Sequence, residues 1–386
     1  MKLPGRHVLY LAKKFGPRAA GSDGEAAAAS YVLRVMNEAG VEVDMETFSS
    51  WKSHFTGIAM SCIIAVIAYA VFILNRPACL VLGVLAFVAF EMEIWTWPVT
   101  SRLQPRSSSS NVIGRIHPEG DALTRIVLTA NYDTGKTSPF GGRRSVKLFR
   151  PYFIVVFFCM LMLAALGFVG VIADLAKINK TGLDLIWYIF APFAFLTLVF
   201  VVIILWGEIR STYSPGANDN ASGVAVMLSV VEAIAAKPLE HIELWAVGTS
   251  RGFAGGRGMV ALLKRHHRQM RDAMIINIDH AGCGDLRIIR TEGPVLGFRA
   301  SRRLTKAALK AAKKMDFEVS KGRCRVKMSD AMVALARRRP AITIGCLKGG
   351  AYPGWRNKKD RYDDIDREAL DRAVEFVTQM LRVLDT

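Results

Sequence analysis

The sequence predicts an α/β fold: a mostly parallel mixed sheet sandwiched by helices, with two inserted transmembrane helical hairpins that make four spans. Three observations predict it. The chain is 52% hydrophobic and 22% charged, and its apolar residues are gathered into long uncharged blocks. Outside those blocks, segments of strand period alternate with segments of helix period, the pattern of a sheet covered on both faces. The predicted strands end in short polar runs, which is where sites form in such sheets.

The elements follow in order. Gly24 to Ala39 has Ala26, Ala27, Tyr31, Val32, Val35 and Met36 on one helical face, with Gly40 after it as a C-cap. Val41 to Phe48 alternates as a strand does, and Asn111 to Ile116 and Arg125 to Asn131 read as two more. Arg106-Ser107-Ser108-Ser109-Ser110 reads as a short linker. Ser222 to Ala236 is a helix, His241 to Gly248 a buried strand, and Gly256 to Arg268 a helix after a Gly-rich turn. Met274 to Asp279 is a strand, Ser301 to Met315 a helix, Ala341 to Cys346 a strand, and Arg367 to Leu384 an amphipathic closing helix. Asn131-Tyr132-Asp133, Thr249-Ser250 and Asp279 stand at strand ends.

The apolar blocks are Phe55 to Asn75, Pro77 to Phe90, Pro151 to Ala173 and Leu185 to Gly207. A membrane helix needs about 20 mostly apolar residues. The second block reaches that length only through Glu91 and Glu93, with Trp95 and Trp97 as an interfacial belt. Glu91 and Glu93 read as snorkelling at that boundary. The blocks pair as hairpins, one turning at Asn75-Arg76-Pro77 and the other at Asp174 to Asp184. The expected domains are therefore residues 1–54, 99–150 and 208–386 as one α/β domain, residues 55–98 as the first hairpin, and residues 151–207 as the second. Each hairpin returns the chain to its starting side, so the α/β domain lies on one side of the bilayer. That side carries nearly all of the 51 Lys and Arg, including Arg143, Arg144, Lys147 and Arg150. The positive-inside rule makes it the cytoplasmic side of a multi-pass cell-membrane protein. No apolar h-region follows Met1 to Arg6, and the six Cys lack disulfide or metal spacing, as a reducing compartment allows.

The net charge of +18 suits a domain held near an anionic leaflet, where each basic residue contributes about 1 kcal/mol. Arg302, Arg303, Lys306, Lys310, Lys313 and Lys314 read as a solvated helix face. No nucleic-acid motif accompanies the charge, so nucleic acid is not an expected partner. The expected partners are the bilayer, a membrane protein or enzyme, and a peptide.

Pro215-Gly216-Ala217-Asn218-Asp219-Asn220-Ala221-Ser222-Gly223 resembles the Asp-bearing turn of the M28 family of zinc aminopeptidases. Pro17 to Ser22, Ile126 to Asp133, Trp245 to Gly256, Ile275 to Asp279 and Trp355 to Asp360 resemble further segments of that family, in the right order. The resemblance implies the family's fold and a two-zinc site at this cleft. It also implies what has been replaced. Asp219 and Asp279 keep ligand positions. Asn131 stands where a His ligand is expected, Ser250 where a Glu ligand is, and Arg356 where the late His is. Thr249 stands at the position of the catalytic base. Asp133 keeps its place, which in the family orients the first His, and Asp330 is grouped with it around the cleft.

A zinc hydrolase needs nitrogen and carboxylate ligands and a base for the bridging water. Asn and Ser are poor zinc ligands and Arg is none. The resemblance therefore implies a peptidase homologue without zinc and without aminopeptidase activity. It would act as a peptide-binding or scaffolding subunit of a membrane complex, for instance in peptide maturation or export. The alternatives are an active membrane-bound metallopeptidase with zinc, other peptide chemistry built on Thr249, Ser250, Asp219 and Asp279, a Mg²⁺ site at Asp133, Asp219 and Asp279, and a transporter. Two retained carboxylates in a buried site repel each other unless a cation compensates. Arg356 is the expected cation, pairing with Asp219 or Asp279. His280 is expected to face away from Asp279, because neighbours on a strand point to opposite faces. The second hairpin leaves from the site rim, between Asp133 and Asp219, and is expected to turn the cleft toward the bilayer.

Overall fold

The computed structural model describes residues 3–142 and 144–386; Arg143 and the first two residues lie outside the described part. The chain divides into two compact units. One contains Met1–Lys52, Arg106–Lys147 and Thr212–Thr386, and the other Ser53–Pro105 and Leu148–Ser211.

The first unit opens with α1 (Pro4–Val8), a π-helical turn (Leu9–Lys14), α2 (Asp23–Glu38) and β1 (Glu42–Trp51). The chain then leaves for α3 (His54–Val71) and α4 (Arg76–Ile94) of the second unit. It returns for β2 (Arg106–Ile116) and β3 (Thr124–Asn131) and leaves again for α5 (Val146–Leu175) and α6 (Lys180–Arg210). The rest belongs to the first unit: α7 (Ser222–Ala236), β4 (Ile242–Thr249), α8 (Arg257–Arg265), β5 (Met274–Ile278), β6 (Asp285–Glu292), β7 (Phe298–Arg299), α9 (Arg302–Lys314), β8 (Ser320–Cys324), α10 (Asp330–Leu335), β9 (Ala341–Leu347) and α11 (Arg367–Leu384).

Among the described residues, nine strands form one mixed sheet in the order β1-β2-β4-β3-β5-β9-β6-β7, with β8 also paired to β6. Its centre, β4-β3-β5-β9, is parallel. The flanks β1-β2-β4 and β9-β6-β7 are antiparallel. Both faces of the centre are covered. One large cluster packs α2, α7, α9 and α11 on one face, through residues such as Val32, Met227, Ala308 and Phe376. A smaller cluster packs α8 and α10 on the other, through Met259, Leu262 and Val333. This two-sided burial explains why the central strands read as continuous apolar runs.

Arg106 to Ser110 is not a linker but the first half of β2, paired with Thr47 to Trp51 of β1. Serines favour strands weakly, but context decides. The Arg251 guanidinium lies against this segment and donates to Ser107 O, Ser108 O and Ser109 Oγ, as well as to Ser50 O and Trp51 O. Strands β6, β7 and β8 also went unread: β7 has only two residues, β6 and β8 mix charged residues into the run, and the β6–β8 pairing carries a register shift.

The second unit is helical. Asn75 caps α4 by accepting from Ala78 N at 2.8 Å, and Asn179 caps α6 by accepting from Gly182 N at 2.9 Å. Arg76 and Asp174 pair at 2.6 Å. Glu93 is not at a solvated boundary as expected. It is fully buried and accepts from Val99 N, Thr100 Oγ1, Ser101 N and Ser101 Oγ, with His54 Nδ1 3.5 Å away. Capturing the turn after α4 outweighs snorkelling, because four donors replace water around the carboxylate. Helices α3, α4, α5 and α6 are each long and apolar enough to cross a membrane, and α6 exposes Leu185, Tyr188, Phe195, Trp206 and Ile209. Residues Ala217–Ala236 also pass that test of length and composition, but α7 is a core helix of the first unit, which accounts for its apolar character.

Candidate functional site

The parallel strands β3, β4 and β5 run side by side, with Asn131 opposite Thr249. Their carboxyl ends bring Asn131, Asp133, Thr249, Ser250 and Asp279 to one rim. The turn before α7 adds Asp219, and all six are buried.

The Asp219 turn is shaped by Gly216, whose φ of +65° favours glycine, and is held from two sides. Arg18 is fully buried. Its guanidinium donates to Pro215 O and Gly216 O at 3.0 and 2.8 Å, and to Tyr132 O at 2.7 Å. Asp360 accepts from Asn218 N and Asp219 N, both at 2.9 Å. Burial pushes the Asp360 carboxyl up to about 7 despite those amides.

Each position singled out in the sequence has a defined partner. Asn131 donates to Asp133 Oδ1 at 3.1 Å and accepts from Asn220 Nδ2 at 3.2 Å. Asp133 accepts from Gly252 N and Phe253 N and so fixes the turn after β4. Burial, reinforced by Glu25, pushes its pKa up to about 6. Thr249 donates its hydroxyl to Asp330 Oδ2 at 2.7 Å, and burial lifts Asp330 to about 6. Ser250 donates to Glu25 Oε1 at 2.6 Å.

The aspartate pair is compensated, but not by the expected residue. Lys327, in the loop between β8 and α10, places Nζ 2.9 Å from Asp219 Oδ1 and 2.8 Å from Asp279 Oδ1. The same ammonium lies 5.0 Å from the centre of the Phe253 ring. Burial alone would lower the pKa of Lys327, but the two carboxylates outweigh it and hold it above its ordinary value. Burial alone would likewise raise Asp279; Lys327 and His280 hold it well below the usual carboxylate range. Arg356 meets Asp219 through its backbone amide, at 3.1 Å from Oδ2, and its Nε donates to Lys136 O at 2.6 Å. The Arg356 backbone is left-handed there, at φ +46°.

His280 also departs from the expected orientation. Strand β5 ends at Ile278, and His280 has φ +54°, so the alternation of a strand no longer applies. The turn folds the imidazole back onto the site. Its Nδ1 is 2.7 Å from Asp279 Oδ1 and its Nε2 3.3 Å from Asp219 Oδ1. Tyr352 stacks on the ring, with centroids 4.4 Å apart. Asp219, Asp279 and His280 thus offer three metal-type donor atoms within 4.8 Å of one another.

Lys327 and Glu25 were missed. Lys327 belongs to no motif and is one of 51 basic residues; the only signal for it was the need for some cation beside two buried carboxylates. Glu25 reads as an ordinary first-turn residue of α2, capped by Ser22, yet its carboxylate also takes Gly21 N, Ser109 Oγ and Ser250 Oγ.

The profile of peptidase family M28 matches residues 204–381, a stretch that includes Asp219, Thr249, Asp279, Lys327 and Arg356. The chain has the fold of peptidase family M28. Solved structures agree. A zinc aminopeptidase from Bacillus subtilis superposes with a TM-score of 0.57 at 14% identity, covering 98% of this chain and 93% of that one. A Zn-dependent exopeptidase from Parabacteroides distasonis gives 0.56 at 14% identity, covering 98% and 97%. A glutaminyl cyclase from Bacteroides thetaiotaomicron gives 0.56 at 15% identity, covering 98% and 96%. No curated protein matches the chain in sequence.

Those M28 relatives raise the question of zinc. The residues present do not fit it as they stand. A zinc–oxygen bond is about 2.0–2.2 Å and needs the carboxylate lone pairs that face the site centre. In this M28 fold those oxygens, Asp219 Oδ1 and Asp279 Oδ1, are occupied by an ammonium. Asn131 and Ser250 are committed to neighbouring side chains.

Proposed function

We propose that the chain is a membrane-tethered M28-fold protein that does not hydrolyse peptides through zinc and serves as a peptide-binding or scaffolding subunit of a membrane complex. The single observation that carries this reading is at the base position. A two-metal peptidase needs a carboxylate there to take a proton from water. Thr249 instead gives its own proton toward Asp330, at 2.7 Å. It is a donor where the reaction requires an acceptor. The neighbouring ligand position is equally diverted, since Ser250 donates to Glu25.

The tether is the set of four apolar helices α3 to α6, read as two membrane hairpins with the α/β unit on the cytoplasmic side. Their exposed apolar side chains, such as Leu185 and Phe195, suit lipid or a partner's helices. An amino-terminal peptide is the ligand class the M28 cleft suggests, in keeping with relatives named as aminopeptidases and a glutaminyl cyclase.

A second reading has one observation in its favour. Asp219, Asp279 and His280 converge as three metal-type donors, which a single-metal hydrolase would use. An assay of the detergent-purified full chain on aminoacyl and dipeptide substrates, with and without chelator, separates the two. No release of amino acid under either condition is expected. Chelator-sensitive cleavage at rates above a Thr249→Ala variant would overturn the first reading and establish the second.

A further inference from the structure

We propose that Lys327 is the resident cation of this site: its ammonium takes the place of a metal between Asp219 and Asp279, and the cage it fills, completed by His280, binds a divalent cation once the lysine is removed. The inference deepens the reading above and rests on it only in that the native site does not carry out zinc-dependent hydrolysis.

The cage is built for positive charge. Two buried carboxylates this close cannot both stay ionised without a counter-charge. Each sends one oxygen, Asp219 Oδ1 and Asp279 Oδ1, to the same ammonium at 2.9 and 2.8 Å. Their backbones, and Asp219 Oδ2, are held independently of the lysine. Asp219 is held by Asp360 and by the Arg356 amide. Asp279 N donates to Ile344 O at 3.0 Å, within the sheet. The Phe253 ring supplies a further face that attracts a cation, and Asp133 fixes that ring's backbone.

His280 makes the cage more than an ion pair. The imidazole is fully buried and held by the Tyr352 stack. Its Nε2 makes no hydrogen bond, although it stands 3.3 Å from Asp219 Oδ1. An unpartnered buried nitrogen beside two carboxylate oxygens is a ligand set of the type that holds zinc or cobalt. Closing from ammonium distances to metal distances asks each oxygen to move inward by about 0.7 Å, which side-chain rotation supplies. The lysine reaches in from the loop before α10, not from a strand end. Its removal therefore leaves the carboxylates and the imidazole in place.

The test uses the detergent-purified full chain, with cobalt and zinc ions as probes. Wild type and Lys327→Arg are expected to bind no stoichiometric cobalt, and their melting temperatures should not respond to zinc or chelator. Lys327→Ala is expected to bind one cobalt per chain with the visible absorption of a low-symmetry site. It should melt lower than wild type without metal and recover with zinc. If Lys327→Ala cannot be purified metal-free, purification in zinc should rescue it. Lys327→Ala/Asp219→Asn, which removes one charge of each sign, should fold without metal, melt above Lys327→Ala and bind no cobalt. Stoichiometric cobalt on wild type overturns the proposal, as does a folded Lys327→Ala that binds none. So does a double variant no more stable than Lys327→Ala. Zinc bound by a hydrolytically silent wild type would sink this inference and leave the non-hydrolytic reading standing. Cleavage by a metal-free wild type would do the reverse.

Discussion

Replacing Arg18 by Met should cost more stability than any surface change, because a single guanidinium organises the turn that carries Asp219. Arg18 donates to five backbone carbonyls: Leu11, Gly16, Tyr132, Pro215 and Gly216. It is fully buried, and burial lowers its pKa to about 10 against the pull of Asp133, Asp360 and Asp219. Met keeps the apolar stem and removes every donor. Gly216 O keeps another donor, Ala221 N at 3.1 Å. Tyr132 O and Pro215 O lie outside helix and strand, and each orphaned carbonyl costs ~1–3 kcal/mol. Loss of the cation also strands nearby carboxylates, and breaking one side of a buried charge network costs ~3–5 kcal/mol. Removing the guanidinium's own desolvation penalty offsets part of this, so the net expectation is a loss of about 3–5 kcal/mol. For a folded unit of this size that lowers the melting temperature by about 8–15 °C. The assay is thermal unfolding of the purified chain followed by near-ultraviolet circular dichroism. A drop below about 3 °C, near 1 kcal/mol, would show that Arg18 does not hold the turn.

Other consequences follow from the same contacts. Asp133 and Asp330 near 6, and Glu292 and Asp360 near 7, are raised chiefly by burial. Their folded pKa values lie above the unfolded ones, so the neutral forms are favoured in the fold. That stability is fully present at low pH and is lost as pH rises through 6 to 7. Melting should therefore occur at a higher temperature at about pH 5.5 than at pH 8, less so in Asp330→Asn; a melting temperature that rises toward pH 8 refutes this sign. Asp279, held low, contributes in the opposite sense, and only below the ordinary carboxylate range. Thr249→Glu restores a carboxylate at the base position but sets it against Asp330; it should destabilise by ~2–4 kcal/mol and yield no peptidase activity. Activity in that variant would show that only the base was missing. Glu93→Ala removes four accepted hydrogen bonds at the end of α4 and should cost ~2–4 kcal/mol, read as faster proteolysis near Val99 to Ser101 in detergent. An unchanged digestion pattern would remove Glu93 from the account of that turn.

Much of the first unit is legible in the sequence, because its central strands and amphipathic helices each carry a clear period. Val127 to Asn131 and Met274 to Ile278 lie in the parallel centre of the sheet, in the register a site at the strand ends requires. The segments that escaped depend on partners far along the chain. Ser107 to Ser110 became a strand through β1 and the Arg251 guanidinium, more than a hundred residues on. The need for a cation beside Asp219 and Asp279 was legible from charge alone, but its identity was not. Lys327 reaches them from 108 and 48 residues away, with nothing local to mark it. His280 was misplaced because one residue of left-handed backbone cancels the alternation of a strand.

The central claim is that protein side chains, and not metal ions, neutralise this site. Elemental analysis of the full chain, purified without chelator from zinc-supplemented cells, tests it most directly. The account predicts zinc well below one atom per chain after gel filtration. One or two tightly held zinc atoms per chain would contradict it.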